Sequence, residues 1–255
     1  FQGNGTRPLI DLAAELDAAR VPIAKRFWIR HLMPEAAVAW LDSALVDGQV
    51  LEGRAVVSGD LDDWPFEPGD GQAGKGLFHA AARIEDGVVR FDPGWPAAEA
   101  LDARVDFVAN GFSLDGSARL GEVPVRSLRA GIADFGDAPL RVTAGFAADA
   151  APVLALLRDS PLREGREELL DGLAASGPLR ADFGMVLPLG GEDGDGLRVD
   201  GRVALAGARL EERRWALAFD EVRGEARYDE SGFAAQGLRV RHEGGPGLLS
   251  LRAGA

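Results

Sequence analysis

The run Gly69-Asp70-Gly71-Gln72-Ala73-Gly74-Lys75-Gly76 contains Gly-x-Gly-x-x-Gly and falls one residue short of a phosphate-binding loop, so nucleotide chemistry is the first to weigh. Such a loop needs Ser or Thr after the Lys to hold Mg²⁺, an apolar strand before it and a helix after it. Here Gly76 takes the hydroxyl position, Trp64-Pro65-Phe66-Glu67-Pro68 precedes the run, and an alternating stretch, Phe78 to Ile84, follows it. The sequence therefore predicts a glycine-rich connection rather than a nucleotide site. Glu192-Asp193-Gly194-Asp195-Gly196 resembles a calcium loop but lacks the further acidic ligands that close one, and reads as an exposed acidic turn. His31, His79 and His242 lie far apart and show no metal-ligand spacing. No Gly-x-Ser-x-Gly elbow and no cysteine offers a nucleophile. No catalytic residue, no metal site and no cofactor is expected.

Charge narrows the partners. Asp and Glu number 41 against 28 Lys and Arg, a net charge of -13. Phosphate backbones are bound by clustered cations, so nucleic acid is excluded as a partner, and flat docking on an anionic membrane is disfavoured. No window approaches the 18 or more apolar residues of a spanning helix, and there is no signal peptide, so a soluble chain is expected. Phe1-Gln2-Gly3 resembles the remnant of a cleavable tag. Residues 1–8 are accordingly read as tag or linker, and the rest as a fragment of a longer protein.

The elements that must carry any function show two periods. Leu9, Leu12, Ala13 and Leu16, then Ile23, Ala24, Phe27 and Trp28, and after Pro34 Val38, Leu41 and Leu45, recur at helical spacing and predict a helical segment over 9–47. A second helical island is expected over 152–175, where Val153, Leu154, Leu157, Leu169, Leu170 and Leu173 recur around a break at Ser160-Pro161. Elsewhere, over 49–147 and 177–252, the period is two. Leu101, Ala103, Val105 and Phe107 alternate with Asp102, Arg104 and Asp106, and after Asn110-Gly111 come Phe112 and Leu114. Turn signals at Asp86-Gly87, Asn110-Gly111, Gly136-Asp137, Asp200-Gly201 and Ser231-Gly232 suggest antiparallel neighbours joined by short connections. The fold class is mainly β with minor α, in one elongated unit over 9–255.

Strict alternation gives a sheet one apolar and one wetted face. Leaving about 1,000 Å² of that face in water would forgo roughly 25 kcal/mol, more than the stability of most domains. The cover could be a second sheet, as in a β-sandwich; the helical islands; or an apolar ligand held in a curled, trough-like sheet. Periodicity does not choose among them.

A wider pattern does. Ala24-Lys25-Arg26-Phe27-Trp28, Met33-Pro34-Glu35, Val38-Ala39-Trp40-Leu41, Leu45-Val46-Asp47-Gly48 and Gly59-Asp60-Leu61-Asp62-Asp63-Trp64-Pro65-Phe66 are followed in order by further pieces. These are Gly76-Leu77-Phe78, Phe91 to Trp95-Pro96, Ser160-Pro161-Leu162, Leu187-Pro188-Leu189 and Gly244-Gly245-Pro246. Together they resemble the YhdP-type branch of the AsmA-like family over about residues 9 to 252. Ile29 after Trp28 and Gly247 after Pro246 depart from that family's pattern.

The resemblance implies a long antiparallel meander curled into a repeating β-groove, part of a periplasmic body anchored to the inner membrane by a segment outside this chain. It implies movement of phospholipid between the inner and outer membranes, with neighbouring groove segments of the same protein as partners and bound phospholipid, fatty acid or detergent in the trough. The expected lining is a stripe rather than a site: Leu101, Val105, Phe107, Phe112, Leu114, Val142, Phe146, Phe183, Met185, Leu205, Leu217 and Phe219. A ligand-free β-sandwich scaffold or protein-interaction module of the cell envelope is the alternative.

Overall fold

In the computed structural model, residues 7–27, 35–66, 75–135, 138–188 and 196–254 are described. They hold a single 14-stranded antiparallel sheet that never closes into a barrel. In chain order the strands are β1 (Leu9–Leu16), β2 (Ala19–Arg20), β3 (Leu45–Asp60), β4 (Gly76–Val89), β5 (Ala98–Val108), β6 (Gly111–Leu120) and β7 (Val123–Ile132). There follow β8 (Leu140–Asp149), β9 (Leu173–Ser176), β10 (Pro178–Leu187), β11 (Arg198–Glu212), β12 (Leu217–Asp229), β13 (Gly232–His242) and β14 (Gly245–Gly254). They are hydrogen-bonded in the order β1-β3-β4-β5-β6-β7-β8-β10-β11-β12-β13-β14, with β2 on β3 and β9 on β11. The meander expected from alternation is present, and no second sheet lies over its apolar face among the described residues.

Helices α1 (Val21–Ala24) and α2 (Glu35–Ala44) lie between β2 and β3, and α3 (Ala150–Arg158) and α4 (Glu167–Gly172) between β8 and β9. All are thus inserted along one side of the sheet, the helix rim, with the connections β4–β5, β6–β7, β11–β12 and β13–β14. The opposite side, the turn rim, carries β3–β4, β5–β6, β7–β8, β10–β11 and β12–β13. The island predicted over 152–175 is present as α3 and α4, except that Leu173, expected on a helix, opens β9, which pairs with β11.

The helical reading of 9–47 holds only in part. Leu9–Leu16 is an edge strand, paired along its whole length with β3 from Leu9↔Asp60 to Leu16↔Gly53. The register turns Ile10, Leu12, Ala14 and Leu16 to one face and Leu9, Asp11, Ala13 and Glu15 to the other. This eight-residue stretch fits either period, and a long partner strand with open hydrogen-bonding groups decides in favour of the sheet. Leu45, expected on a helix, opens β3 instead.

Two expected turns lie inside strands. Asp86-Gly87 belongs to β4, where Asp86 is left-handed (φ 50) at a register shift between Ile84 and Gly87. Asp200-Gly201 belongs to β11, where Gly201 lies under the ring of Tyr228, the neighbour it pairs with across the ladder. A glycine within a strand marks a bulge or a close approach as readily as a turn. Asn110-Gly111 and Ser231-Gly232 do connect hairpins, and Gly136-Asp137 lies outside the described residues.

Register shifts recur from ladder to ladder: Leu51/Arg54, Ile84/Gly87, Glu99/Asp102, Gly116/Ala118, Val125/Ser127, Ala206/Ala208, Asp220/Arg223 and Ala235/Leu238. Several are marked by a left-handed residue: Glu52, Asp86, Ala100, Gly207, Glu221 and Gly237. Each bulge bends its strand and increases its twist. They recur across β3 to β7 and again across β11 to β13, bending the sheet in both stretches.

Candidate functional site

Register assigns faces without ambiguity. Val105 pairs with Leu114 and Phe107 with Phe112; Leu114 pairs with Ala130, and Ala130 with Val142. Val142 pairs with Met185 and Ala144 with Phe183; Leu179 pairs with Leu205, and Leu210 with Phe219. Directly opposed residues share a face, so every candidate, with Leu101 and Phe146, lies on the same side of the sheet. The other side carries Arg104, Asp115, Arg129, Arg141, Arg180, Arg202 and Asp200, all exposed. Salt bridges such as Arg129–Asp115 (2.8 Å) and Arg119–Glu99 (2.5 Å) lie on this wetted face and contribute little each.

The apolar face is not uniform. Along the bulge row, toward the helix rim, Leu101, Ala103 and Ala118 form one packed cluster, and Ala208, Val222, Ala235, Leu238 and Val240 another. Leu238 is 1% exposed and Val222 0%. Toward the turn rim, Val105, Phe107, Phe112, Leu114, Val142, Phe183 and Met185 are only half-buried. The Phe107 and Phe112 rings are 5.1 Å apart, centroid to centroid. The stripe therefore divides into a packed row, which includes Leu101, and an open lane. Phe146 and Leu205 lie under cover of the insert, since both pack on the Ala150, Leu179 and Ala181 cluster together with Val153 of α3 and Ala175 of β9.

Sequence reasoning missed several lane residues. Ile10, Leu12, Ala14 and Leu16 extend the face to the β1 edge. Their alternation with Leu9, Asp11, Ala13 and Glu15 was the available signal. At the turn rim of β3 and β4, Phe66 stands so close to Gly59 and Gly76 that a Cβ on either would meet its ring at 2.8 and 2.3 Å. Trp64 packs on Phe66 and Phe78, with centroids 5.5 and 4.9 Å away. Trp64 thus packs at the start of β4. Tyr228 lies over Gly201, and its hydroxyl donates to the Asp182 carbonyl at 3.0 Å. Burial, with Asp200 and Asp182 nearby, pushes the Tyr228 hydroxyl up to about 12.

The polar candidates do not assemble. His79 is on the wetted face beside Asp106, 3.2 Å away. His242 stacks on Phe219 and faces the Ala218 carbonyl at 2.8 Å. His31, Gly69 to Gly74 and Glu192 to Asp195 lie outside the described residues, as does Trp28. No cluster of three metal-ligating side chains occurs among the described residues, and no helix there is long and apolar enough to cross a membrane.

This combination, a one-faced sheet bent by a row of bulges and bearing an apolar stripe, agrees with what the sequence profile of one family finds. The profile described as YhdP protein matches residues 2–253. The chain belongs to the YhdP family. Among curated proteins it is 27% identical over 194 residues to the intermembrane phospholipid transporter YhdP of Escherichia coli (strain K12). That alignment spans 75% of this chain and 15% of the relative, so the chain corresponds to a small part of the transporter's length. No solved structure matches.

Proposed function

We propose that this chain is one segment of a conduit in which phospholipid acyl chains lie along the open lane while head groups stay in water, and that it performs no catalysis. The observation that carries the reading is the continuity of the apolar face from β1 to β14 with its turn-rim half left half-buried. The kinship to an intermembrane phospholipid transporter names the cargo class. Movement is passive: nothing in the lane holds one position in preference to the next, so lipid slides down a gradient set elsewhere.

Eleven inter-strand steps of about 4.8 Å give roughly 50 Å of trough. That is short for a passage between two membranes. The free edges of β1 and β14 then receive neighbouring segments of the same protein, and the parent is held to the inner membrane by a segment outside this chain and works in the periplasm.

Native mass spectrometry with lipid extraction tests the reading. The expected result is co-purified phospholipid or fatty acid, displaced by a fluorescent fatty acid. A folded chain that carries none and takes up none would overturn it.

A further inference from the structure

The excursion between β8 and β9 is rooted firmly and tethered lightly. At its root, Asp149 accepts from Ala151 N at 2.9 Å and from Gly177 N at 2.8 Å, tying the way in to the way out. Arg158 donates to the Leu170 and Leu173 carbonyls. Leu154 and Leu170 are buried, and Val153 packs against the cluster of Ala150, Leu179 and Ala181 on the apolar face. Glu168 is bridged to Arg214 at 3.2 Å.

The tip differs. From Pro161 to Glu168 every residue except Leu162 is exposed. Besides the Glu168–Arg214 bridge, two contacts reach away from it. Pro161 touches Gly94 in the β4–β5 connection of the helix rim, so closely that a Cβ on Gly94 would lie 2.7 Å from the proline Cγ. Arg166 donates to the Glu230 carbonyl at 3.4 Å, in the β12–β13 turn of the opposite rim. A segment that packs on the apolar face at its root and touches both rims at its tip lies across the mouth of the trough.

We propose that Ala150–Gly172 is a strap over the groove, with a fixed root and a tip that lifts to admit acyl chains and settles to retain them. This rests on the acyl-carrying reading above. Ser160, buried at the break between α3 and the tip, accepts from Leu162 N and donates to the Leu157 carbonyl, which fixes the bend about which the tip turns. The tip's contacts with the rims are one proline packing, one long hydrogen bond and the exposed Glu168–Arg214 ion pair, so lifting it breaks little, whereas lifting the root would expose Leu154 and Leu170.

The chain has no cysteine, so Gly94→Cys with Pro161→Cys introduces a single possible disulfide, and removing the proline makes room for it. Exchange of a fluorescent fatty acid is measured on the full chain before and after reduction. The oxidised form is expected to exchange about ten-fold more slowly than the reduced form, as expected when a lid sets the rate. Arg166→Ala is expected to exchange faster than the parent, and Arg166→Lys to restore part of the difference. Equal rates in the oxidised and reduced forms, or an unchanged Arg166→Ala rate, would overturn the strap while leaving acyl binding intact. No uptake by any folded form would overturn the acyl-carrying reading and the strap with it.

Discussion

Two halves of one apolar face, a few residues apart along the same strands, differ in what covers them. In β5, Leu101 and Ala103 are packed, while Val105 and Phe107, next in the same alternation, are half-buried. In β12, Val222 is fully enclosed, while Ala226 and Tyr228 are not. The row of bulges runs along the packed half, beside Leu101 at Ala100, beside Val222 at Glu221 and between Ala235 and Leu238 at Gly237. The comparison teaches that alternation only places apolar side chains on a face; the local bend decides whether protein covers them or leaves them for something else. The packed row supplies stability, and the lane is the part to which the proposed reading assigns cargo.

The sharpest way to break that distinction is to cut into each half. Leu238→Ala in the packed row is expected to lower stability by about 2–5 kcal/mol, the usual loss for a buried leucine, read as a shift of the denaturant midpoint. Phe107→Asp in the lane is expected to lose its stacking with Phe112, about 1 kcal/mol, with the fold retained by circular dichroism but crosslinking to an acyl probe abolished. Global unfolding of Phe107→Asp would show instead that the lane is part of a sealed core.

A smaller effect tests the bend. Ala100 sits in the left-handed region (φ 48) at the β5 bulge, where an L-residue with a Cβ is strained by roughly 1 kcal/mol and glycine is not. Ala100→Gly is therefore expected to raise the thermal midpoint slightly, whereas a substitution to Val should lower it.

The smallest effect is alkaline. Tyr228 ionises near 10 when unfolded and at about 12 when folded, so its neutral form is favoured by folding. Its contribution is fully present below pH 10 and is lost as pH rises toward 12. Tyr228→Phe should flatten that decline, while giving up the bond to the Asp182 carbonyl at neutral pH.

Legibility followed the same division. The strands around Asn110-Gly111 and the faces of Phe107, Phe112, Val142 and Phe183 were readable because strict period two survives on either side of a bulge. The bulges themselves were largely not. Gly207 and Gly237 hint at them, but Glu52, Ala100 and Glu221 adopt left-handed backbone without any residue-type signal. For the same reason Asp86-Gly87 passed for a turn. The β1 strand was misread because eight residues with leucines at 9, 12 and 16 satisfy a helix as well as a strand, and only the open edge of β3 chooses. The helical insert was visible as periodicity, but its passage over the trough depends on contacts with Gly94 and Glu230, both distant in sequence, and no local pattern encodes those.

The bulge row also bears on how such a chain grows. Because each hairpin of the described sheet carries a bulge on at least one of its strands, curvature belongs to the hairpin and not to the domain as a whole. A duplicated hairpin would lengthen the trough by two strand spacings and leave its cross-section unchanged, and a deleted one would shorten it in the same measure. Length can then drift in ancestry while the bore stays constant.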